Sequence, residues 1–406
     1  MSSSSSILPD LALLDRYIFR RDDDSFPADD PTEASCTNSR GEEICICFQL
    51  HDPPRPSRLY LWWPGGTGDC DRFSVVGAHR DAVLLQMAYS IPVPNSECTY
   101  DMYDYFLYPA QDRGPGHAVL RRGAEDVAVA ELQTVRTTEP ELHVIFPSAS
   151  ASRRWVVTKP RIIFHGPDLD LENLLWLFSS DAVVPFGDYL CWVDYCKGAI
   201  LLCNVFDDDP ELRYLALPAK LPGIDHPGGR GFGEVNMTVG VDEERGVMKC
   251  VRVVRGDGKM FNQGCNKPPP DFVATSWTSE MTGSHELIWK KDAEVKSEDF
   301  WQLHGVELLP HTHLEFPLVS LEDTSIVYFV MRLKGASVDE VGYDYDETWL
   351  VSFDMCSKTV KASFQYIKEQ GDLCCEESMF AKEKFWYFES FIPAEFPKFL
   401  KMHDTR

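Results

Sequence analysis

The sequence predicts an all-β fold, in which short antiparallel hairpins build a degenerate β-propeller-like assembly with few helices. Short runs that alternate apolar and polar residues recur along the 406-residue chain, and a period of two residues is typical of half-buried strands. Glycine, proline and aspartate cluster between these runs, as they do in the turns of hairpins. From residue 189 onward the hairpins recur at intervals of roughly 40–60 residues, close to the length of a propeller blade.

The most regular unit holds three predicted strands, over residues 189–194, 199–206 and 211–217. Gly198 and Pro210 mark the turns between them, because both residue types favour turn conformations. Further strands follow the same alternating pattern, and they are predicted over residues 44–50, 58–63, 73–77, 82–89, 235–241, 247–254, 316–321, 325–332, 349–354 and 359–366.

Helices are predicted only near residues 170–178 and in the Glu- and Phe-rich stretch after Glu376. The chain is expected to have four regions. These are an N-terminal segment, partly disordered, over residues 1–35, an N-terminal β region over 36–165, the hairpin repeats over 166–375, and a mixed C-terminal tail over 376–406.

The charge balance excludes two classes of partner. Lys and Arg number 39 against 64 Asp and Glu, which gives a formal net charge of −25. Nucleic-acid binding needs a basic patch that releases counterions, and anionic membranes attract polybasic segments, so neither partner is expected. No window holds the ~20 uninterrupted apolar residues of a membrane helix. The 13 cysteines include no Cys-x-x-Cys pair, a pattern typical of reduced thiols in an intracellular protein of the cytoplasm or nucleus rather than a secreted one.

A family resemblance rests on one central block and several shorter ones. The block LCWVDYCKGAILLCNVF spans residues 190–206 and is followed by LRY at 212–214 and LP at 217–218. Near the start, LLDRY at 13–17 and HDPP at 51–54 fit the same pattern. Together they resemble the plant family known as domain of unknown function 1618. The resemblance implies a family that is expanded in grasses, has no assigned activity and transfers no catalytic residue to this chain.

The same block is also similar to propeller-type domains that follow an F-box in substrate adaptors. Of the F-box itself, only LPDL at residues 8–11 resembles the beginning, and a charged, proline-containing run follows from Arg20. The chain therefore departs from a complete adaptor.

One segment has the residue types of a metal site. His311, His313 and Glu315 share one face if the segment is extended, because strand side chains alternate, and two imidazoles with a carboxylate suit zinc or iron. No fourth ligand follows at a familiar spacing. A solvated connector between Pro310 and Pro317 is the favoured interpretation.

Acidic residues and cysteines offer weaker signals. The aspartates at predicted strand ends or turns are Asp188, Asp194, Asp242, Asp323, Asp344 and Asp346. A close pair of them would suit glycosidic acid–base chemistry, but aspartate also favours turns for its own hydrogen bonds, and this second interpretation is favoured. Cys45 with Cys47, Cys191 with Cys196, and the vicinal residues 374–375 are interpreted as buried thiols. The glycine-rich run at 228–233 lacks the spacing of a phosphate loop.

Three loop aromatics are the predicted partner-binding residues. Tyr343 and Tyr345 belong to an acidic segment before a strand, and Phe232 lies in the glycine-rich run. Exposed loop aromatics commonly anchor protein interfaces, although they can also lie back against the sheet. By contrast, the strand tryptophans at 192, 277 and 349 are predicted to pack in the core.

These observations favour a non-enzymatic protein-interaction scaffold whose protein partner is unknown. Acidic charge would favour a basic surface on that partner. No catalytic, cofactor-binding or metal-binding residue is assigned. The alternatives are a carboxylate- or metal-assisted hydrolase on the same scaffold, and a diverged family member without a strong binding function of its own.

Overall fold

The structure is a computed structural model, and it describes most of the chain. The described residues are 8–24, 26–27, 30–66, 72–92, 99–109, 120–122, 126–134, 139–146, 155–164, 170–176, 178–221, 233–258, 271–281, 287–339, 342–366 and 391–401. Within them the fold is all-β and propeller-like, as the sequence predicts. None of the helices in this part of the chain is long and apolar enough to cross a membrane.

The strands are numbered in chain order. They are β1 (Ala12–Arg20), β2 (Ala34–Thr37), β3 (Glu43–Gln49), β4 (Ser57–Trp62), β5 (Arg72–His79), β6 (Ala82–Pro92), β7 (Thr99–Pro109), β8 (Leu120–Arg122), β9 (Asp126–Gln133), β10 (Glu141–Ile145), β11 (Val156–Thr158), β12 (Arg161–Ile163), β13 (Ala182–Phe186), β14 (Tyr189–Asp194), β15 (Ala199–Asn204), β16 (Glu211–Ala216), β17 (Met237–Asp242), β18 (Val247–Arg255), β19 (Phe272–Met281), β20 (Leu287–Lys296), β21 (Glu315–Val319), β22 (Ile326–Asp339), β23 (Gly342–Asp354), β24 (Thr359–Gln365) and β25 (Ile392–Ala394).

Helices are few and short among the described residues. They are α1 (Leu171–Trp176), α2 (Ser297–Phe300), a 3-10 turn (Gly233–Val235) and α3 (Phe396–Lys401). The first confirms the helix predicted near residues 170–178. Of the stretch predicted as helical after Glu376, residues 376–390 lie outside the described part.

The chain divides into two compact units. Unit 1 contains residues 1–119, 337–343 and 367–406, and unit 2 contains residues 120–336 and 344–366. This division differs from the predicted boundaries at residues 35, 165 and 375.

Unit 1 contains an eight-stranded sheet with the order β2-β3-β4-β1-β5-β6-β7, and β25 also pairs with β1. Strand β1 runs parallel to β4 and antiparallel to β25. Its residues Leu13 and Leu14 are almost fully buried. The sequence predicts a separate, partly disordered segment here, but β1 lies inside the sheet. Its apolar side chains, with Phe48 and Phe396, complete one core, which fixes β1 within the sheet.

The described strands of unit 2 form four sheets in chain order. The first contains β8–β11, the second β12–β16, the third β17–β20 and the fourth β21–β24. The predicted hairpin from residue 189 is confirmed, with Tyr189 opposite Asn204 and Asp194 opposite Ala199. Strand β12 departs from the antiparallel pattern, since it pairs in parallel with β16.

Each sheet of unit 2 shares a core with the next. Leu142 of the first sheet and Trp192 of the second belong to one apolar cluster. Leu202 of the second and Met248 of the third belong to another. Val251 of the third sheet packs with the fourth in a cluster of its own. The strand tryptophans pack as predicted, Trp192 within a core and the tryptophans at 277 and 349 against one.

Candidate functional site

The structure separates the three residues of the predicted metal segment. His313 and Glu315 are buried, and the Nε2 atom of His313 lies 2.9 Å from Oε1 of Glu315. His311 is exposed and turns away, because its ring stacks on that of Trp301 with centroids 4.4 Å apart. The segment therefore does not bring three ligands together, and its buried half is not a solvated connector.

Glu315 binds a partner that the sequence did not indicate. Arg332 of β22 donates from Nε to Oε2 of Glu315 at 2.6 Å, and its Nη2 lies 2.5 Å from the same oxygen. The guanidinium carbon also lies 5.2 Å from the ring centroid of Phe316. Phe316 has a φ of +47° at a register shift between Glu315 and Leu318. This local bulge changes the direction of the strand. We call His313, Glu315 and Arg332 the Glu315 cluster.

Electrostatics show that the Glu315 cluster is internally compensated. Burial opposes ionisation of Glu315, but Arg332 and His313 outweigh it and lower the pKa of the carboxyl to about 2. The carboxylate is therefore ionised at neutral pH, with a protein group against each oxygen. An anion held in this way ties β21 to β22.

A second ion pair, in which only the lysine is buried, lies in the third sheet. Asp292 is the extra residue of a bulge in β20, because Ser276 faces Ala293 while the next residue of β19 faces Lys291. The carboxylate of Asp292 binds the ammonium group of Lys249, which is 2% exposed.

Two hydroxyl groups complete this Lys249–Asp292 pair. Ser276 Oγ donates to Asp292 at 2.5 Å, and Thr278 Oγ1 donates at 2.6 Å. Burial opposes ionisation of Asp292, but hydrogen bonds from the lysine and the two hydroxyls outweigh it and lower the pKa. Burial raises the pKa of the neighbouring Cys356 thiol despite the lysine charge, so the thiol is not activated as a nucleophile.

Where the structure describes their contacts, the predicted turn aspartates accept hydrogen bonds from groups in or beside their turns. Asp194 accepts hydrogen bonds from the backbone N–H of Ser179 at 3.0 Å and of Lys197 at 2.8 Å. Asp242 accepts from both the backbone and the guanidinium of Arg245. Likewise, residue 323 accepts from the backbone N–H and hydroxyl of residue 325. The side chains of residues 344 and 346 lie outside the described part.

Three side chains of types that can bind a metal ion lie close together. Ligand atoms of Asp181, Asp194 and Cys196 all lie within 4.8 Å of one another. The sequence analysis did not single out Asp181 as a ligand. It lies just before β13, whereas Asp194 ends β14, and no nearby motif marks it. Its Oδ2 accepts the backbone N–H of Tyr195 at 2.8 Å, so both carboxylates hold the same turn in place.

The described cysteines are free thiols. Cys47, Cys191, Cys203 and Cys250 are buried, and burial raises the pKa of Cys203 to about 12. These residues act as small apolar core residues, as predicted for Cys47 and Cys191. Cys45 and Cys196 are only partly buried, because one face of their hairpins remains open to solvent. Residues 374–375 lie outside the described part.

The predicted partner-binding aromatics are placed only in part. Phe232 lies outside the described residues. Tyr343 and Tyr345 lie in strand β23, Gly342–Asp354, so their assignment to a loop is wrong. The alternation of Tyr343, Tyr345 and Trp349 with acidic or polar neighbours is itself a strand pattern, and it extends β23 beyond the predicted start.

An uncovered apolar surface occurs at the edges of the first two sheets. We call residues 155–164 the edge segment, because it contains β11 at one end of the first sheet and β12 at one end of the second. Trp155 is 39% exposed, Val156 and Val157 are each 52% exposed, and Phe164 is 40% exposed. Natural edge strands usually carry charges or proline, and here Lys159, Pro160 and Arg161 follow the exposed valines. The sequence analysis predicts no strand over these residues.

Comparison with protein families identifies the central part of the chain. Residues 192–328 match the family described as Protein of unknown function (DUF1618). The match runs from β14 into β22 and confirms the resemblance carried by the central block. The edge segment lies before the DUF1618 match, whereas Glu315 lies within the match.

Other comparisons add no activity. Among curated proteins, no match to the chain was found. Among solved structures, the chain is similar to a putative 6-phosphogluconolactonase from Bacteroides fragilis NCTC 9343, with 8% sequence identity and a TM-score of 0.28. That similarity covers 91% of this chain and 98% of the other. At this TM-score it carries no argument about function.

Proposed function

We propose that this protein is a non-enzymatic protein-interaction scaffold that binds a protein partner through the edge segment. The observation that carries the proposal is the run Trp155, Val156 and Val157, three consecutive exposed apolar residues at the start of an edge strand. Exposed apolar surface of this kind is typical of protein interfaces, and tryptophan is enriched among the residues that dominate binding energy.

The ionisable clusters support binding rather than catalysis. A catalytic carboxylate must be within reach of a substrate proton, whereas Glu315 is buried and bound by Arg332. Asp194 is fully buried and holds its own turn. These carboxylates therefore give the hydrolase alternative no support. The free thiols and the cysteine pattern support an intracellular location as part of the same proposal.

Tyr343 and Tyr345 of β23 are proposed as further partner-binding residues. They alternate with Asp344 and Asp346, and a basic partner would complement these carboxylates.

The test is affinity purification of the tagged full chain from its own cells, followed by reconstitution of each captured protein with purified chain. We expect a partner whose affinity falls at least tenfold in Trp155→Ser. Leu308→Ser is the matched control, because Leu308 is an isolated apolar residue with 78% exposure. A partner that binds both variants as well as the wild type would contradict the edge segment as the binding surface. Tyr343→Ala and Tyr345→Ala substitutions test these two residues in the same assay.

A further inference from the structure

We propose that Arg252 anchors a binding site for a carboxylate ligand where the second and third sheets of unit 2 meet. Arg252 lies in β18 two residues after Cys250, so the two side chains project from the same face of the strand. Cys250 is fully buried in the apolar cluster that these two sheets share. Arg252 is only partly buried, so its guanidinium group lies where this shared core meets solvent.

The positive charge of Arg252 has no ion-pair partner among the described residues. Every other arginine of unit 2 whose side chain the structure describes lies beside a carboxylate. These arginines are Arg161, Arg213, Arg245, Arg255 and Arg332. The exception occurs in a chain with 64 acidic residues against 39 basic ones, where a carboxylate partner is easily supplied. The arrangement therefore leaves Arg252 to find its counter-charge in a ligand.

Most N–H donors of Arg252 are not used by the protein. A guanidinium group has five such donors. Nη1 donates to the backbone carbonyl of Lys220 at 3.2 Å, in an exposed position, whereas the buried Nε has no acceptor in the described part of the chain. A charged group that is partly removed from water without a counter-charge costs free energy. An anion bound by Nη2 and by the second N–H of Nη1 would offset this cost.

Two tryptophans give the site an apolar wall. The guanidinium carbon of Arg252 lies 5.6 Å from the ring centroid of Trp277, a contact that holds the cation over the ring. Trp289 donates from Nε1 to the carbonyl of Ala216 at 2.9 Å. Both rings are only partly buried against the shared cluster, so they can contact the carbon chain of a ligand. Tryptophan and arginine are also the residue types enriched at the energetic centres of interfaces.

Charge and shape favour a carboxylate as the anion. The planar fork of a guanidinium group matches the two oxygens of a carboxylate. A carboxylate carries one negative charge, whereas a phosphate monoester carries about 1.5–2 at neutral pH. The formal net charge of −25 on the chain opposes the larger charge more strongly. Lys220 is exposed and forms no ion pair in the described part of the chain, so it adds local attraction for an anion.

The experiment uses the purified full chain with isotopically labelled tryptophan, titrated with phenylacetate and with its uncharged match, phenylacetamide. The indole N–H signals of Trp277 and Trp289 report binding by NMR, and Trp277→Phe and Trp289→Phe assign them. We expect saturable shifts with phenylacetate and an affinity about tenfold lower for the amide, because charge-assisted hydrogen bonds are lost. A titration without a saturable shift, or equal affinities for the two probes, would overturn the proposal.

Substitutions locate the binding at Arg252. Arg252→Met keeps the length of the side chain and removes its charge, so the affinity for phenylacetate should fall about tenfold. Arg252→Lys keeps the charge without the fork, and we expect a smaller loss. Arg213→Met is the matched control, because Arg213 is also partly buried but pairs with Glu211 at 3.3 Å, and it should not change the affinity. Equal losses in Arg252→Met and Arg213→Met would contradict a site at Arg252.

The melting temperature of Arg252→Met should stay close to that of the wild type, because the substitution breaks no ion pair. If this variant does not fold, Arg252→Lys provides the comparison with Arg213→Met. Inorganic phosphate is titrated as a further probe, and phosphate that binds more tightly than phenylacetate would overturn the carboxylate assignment.

The partner captured through the edge segment distinguishes two sources of the carboxylate. Weaker partner binding in Arg252→Met assigns the carboxylate to an acidic side chain of that partner. Unchanged partner binding, together with lost phenylacetate binding, assigns it to a free carboxylic acid. The phenylacetate titration does not involve Trp155, so this inference and the proposed function fail separately.

Discussion

The Glu315 cluster and the edge segment, both in unit 2, reverse the usual distribution of residue types. The first buries three ionisable side chains, and Glu315 is 4% and Arg332 5% exposed. The second leaves Trp155 and two valines open to solvent. The difference lies in what each strand faces. Strand β21 packs against the third sheet, where charges must find partners, whereas β11 ends its sheet. Burial is thus set by position among the sheets and not by residue type.

The largest expected effect comes from breaking the Glu315 cluster. Arg332→Met leaves the Glu315 carboxylate buried with only His313 beside it, and removal of one partner of a buried pair costs about 3–5 kcal/mol. Urea denaturation measures the free energy of unfolding. Arg161→Met is the control, because Arg161 forms exposed pairs that contribute about 0–1 kcal/mol. Equal losses in the two variants would show that the Glu315 cluster is not a compensated buried ion pair.

A smaller loss is expected at the Lys249–Asp292 pair. Lys249→Met should lower the free energy of unfolding by about 1–3 kcal/mol, the cost of an unsatisfied hydrogen-bonding group. The loss is smaller because the carboxylate of Asp292 is 23% exposed and keeps its two hydroxyl donors. Lys361→Met is the control, since that lysine pairs with Asp354 while 46% exposed. A loss no larger than that of the control would contradict a structural role for Lys249.

The pH dependence of stability tests the charge on Glu315. Its pKa is about 2 in the folded protein against 4.5 as the ordinary value. A lowered pKa contributes stability that is complete above the ordinary value and is lost as pH falls toward the folded value. The difference in unfolding free energy between wild type and Glu315→Gln should therefore shrink from pH 5 to pH 2.5 in urea titrations. A constant difference over this range would contradict ionisation of Glu315 in the fold.

The smallest expected effect on stability lies at the edge segment. Trp155→Ser should change the free energy of unfolding by less than about 0.5 kcal/mol, because surface substitutions rarely do more. Trp192→Ala provides the contrast, with an expected loss of about 3–5 kcal/mol for a buried aromatic residue. Thermal and urea unfolding measure both. A large loss in Trp155→Ser would indicate that this tryptophan stabilises the fold and is not mainly a binding residue.

Local pattern was a good guide to the strands and a poor one to the sites. The hairpin of β14 and β15 follows from alternation and from the turn at Gly198, whose φ is +65°. Tyr343 and Tyr345 were misplaced because their acidic neighbours resemble a loop, although their spacing is that of a strand. His311 and His313 would lie on one face of an extended strand because they are two residues apart. The chain is not a strand at these residues, so only His313 reaches Glu315.

By itself, the sequence determined the all-β class, the central DUF1618 block and the positions of most hairpins, because periodicity and turn chemistry act between near neighbours in the chain. Only the tertiary structure decided that Arg332 meets Glu315, that Lys249 meets Asp292 across the third sheet, and that β11 remains uncovered. These outcomes depend on strand register, on bulges and on which sheet packs against which. An apolar strand has the same period of two residues whether another sheet covers it or water does.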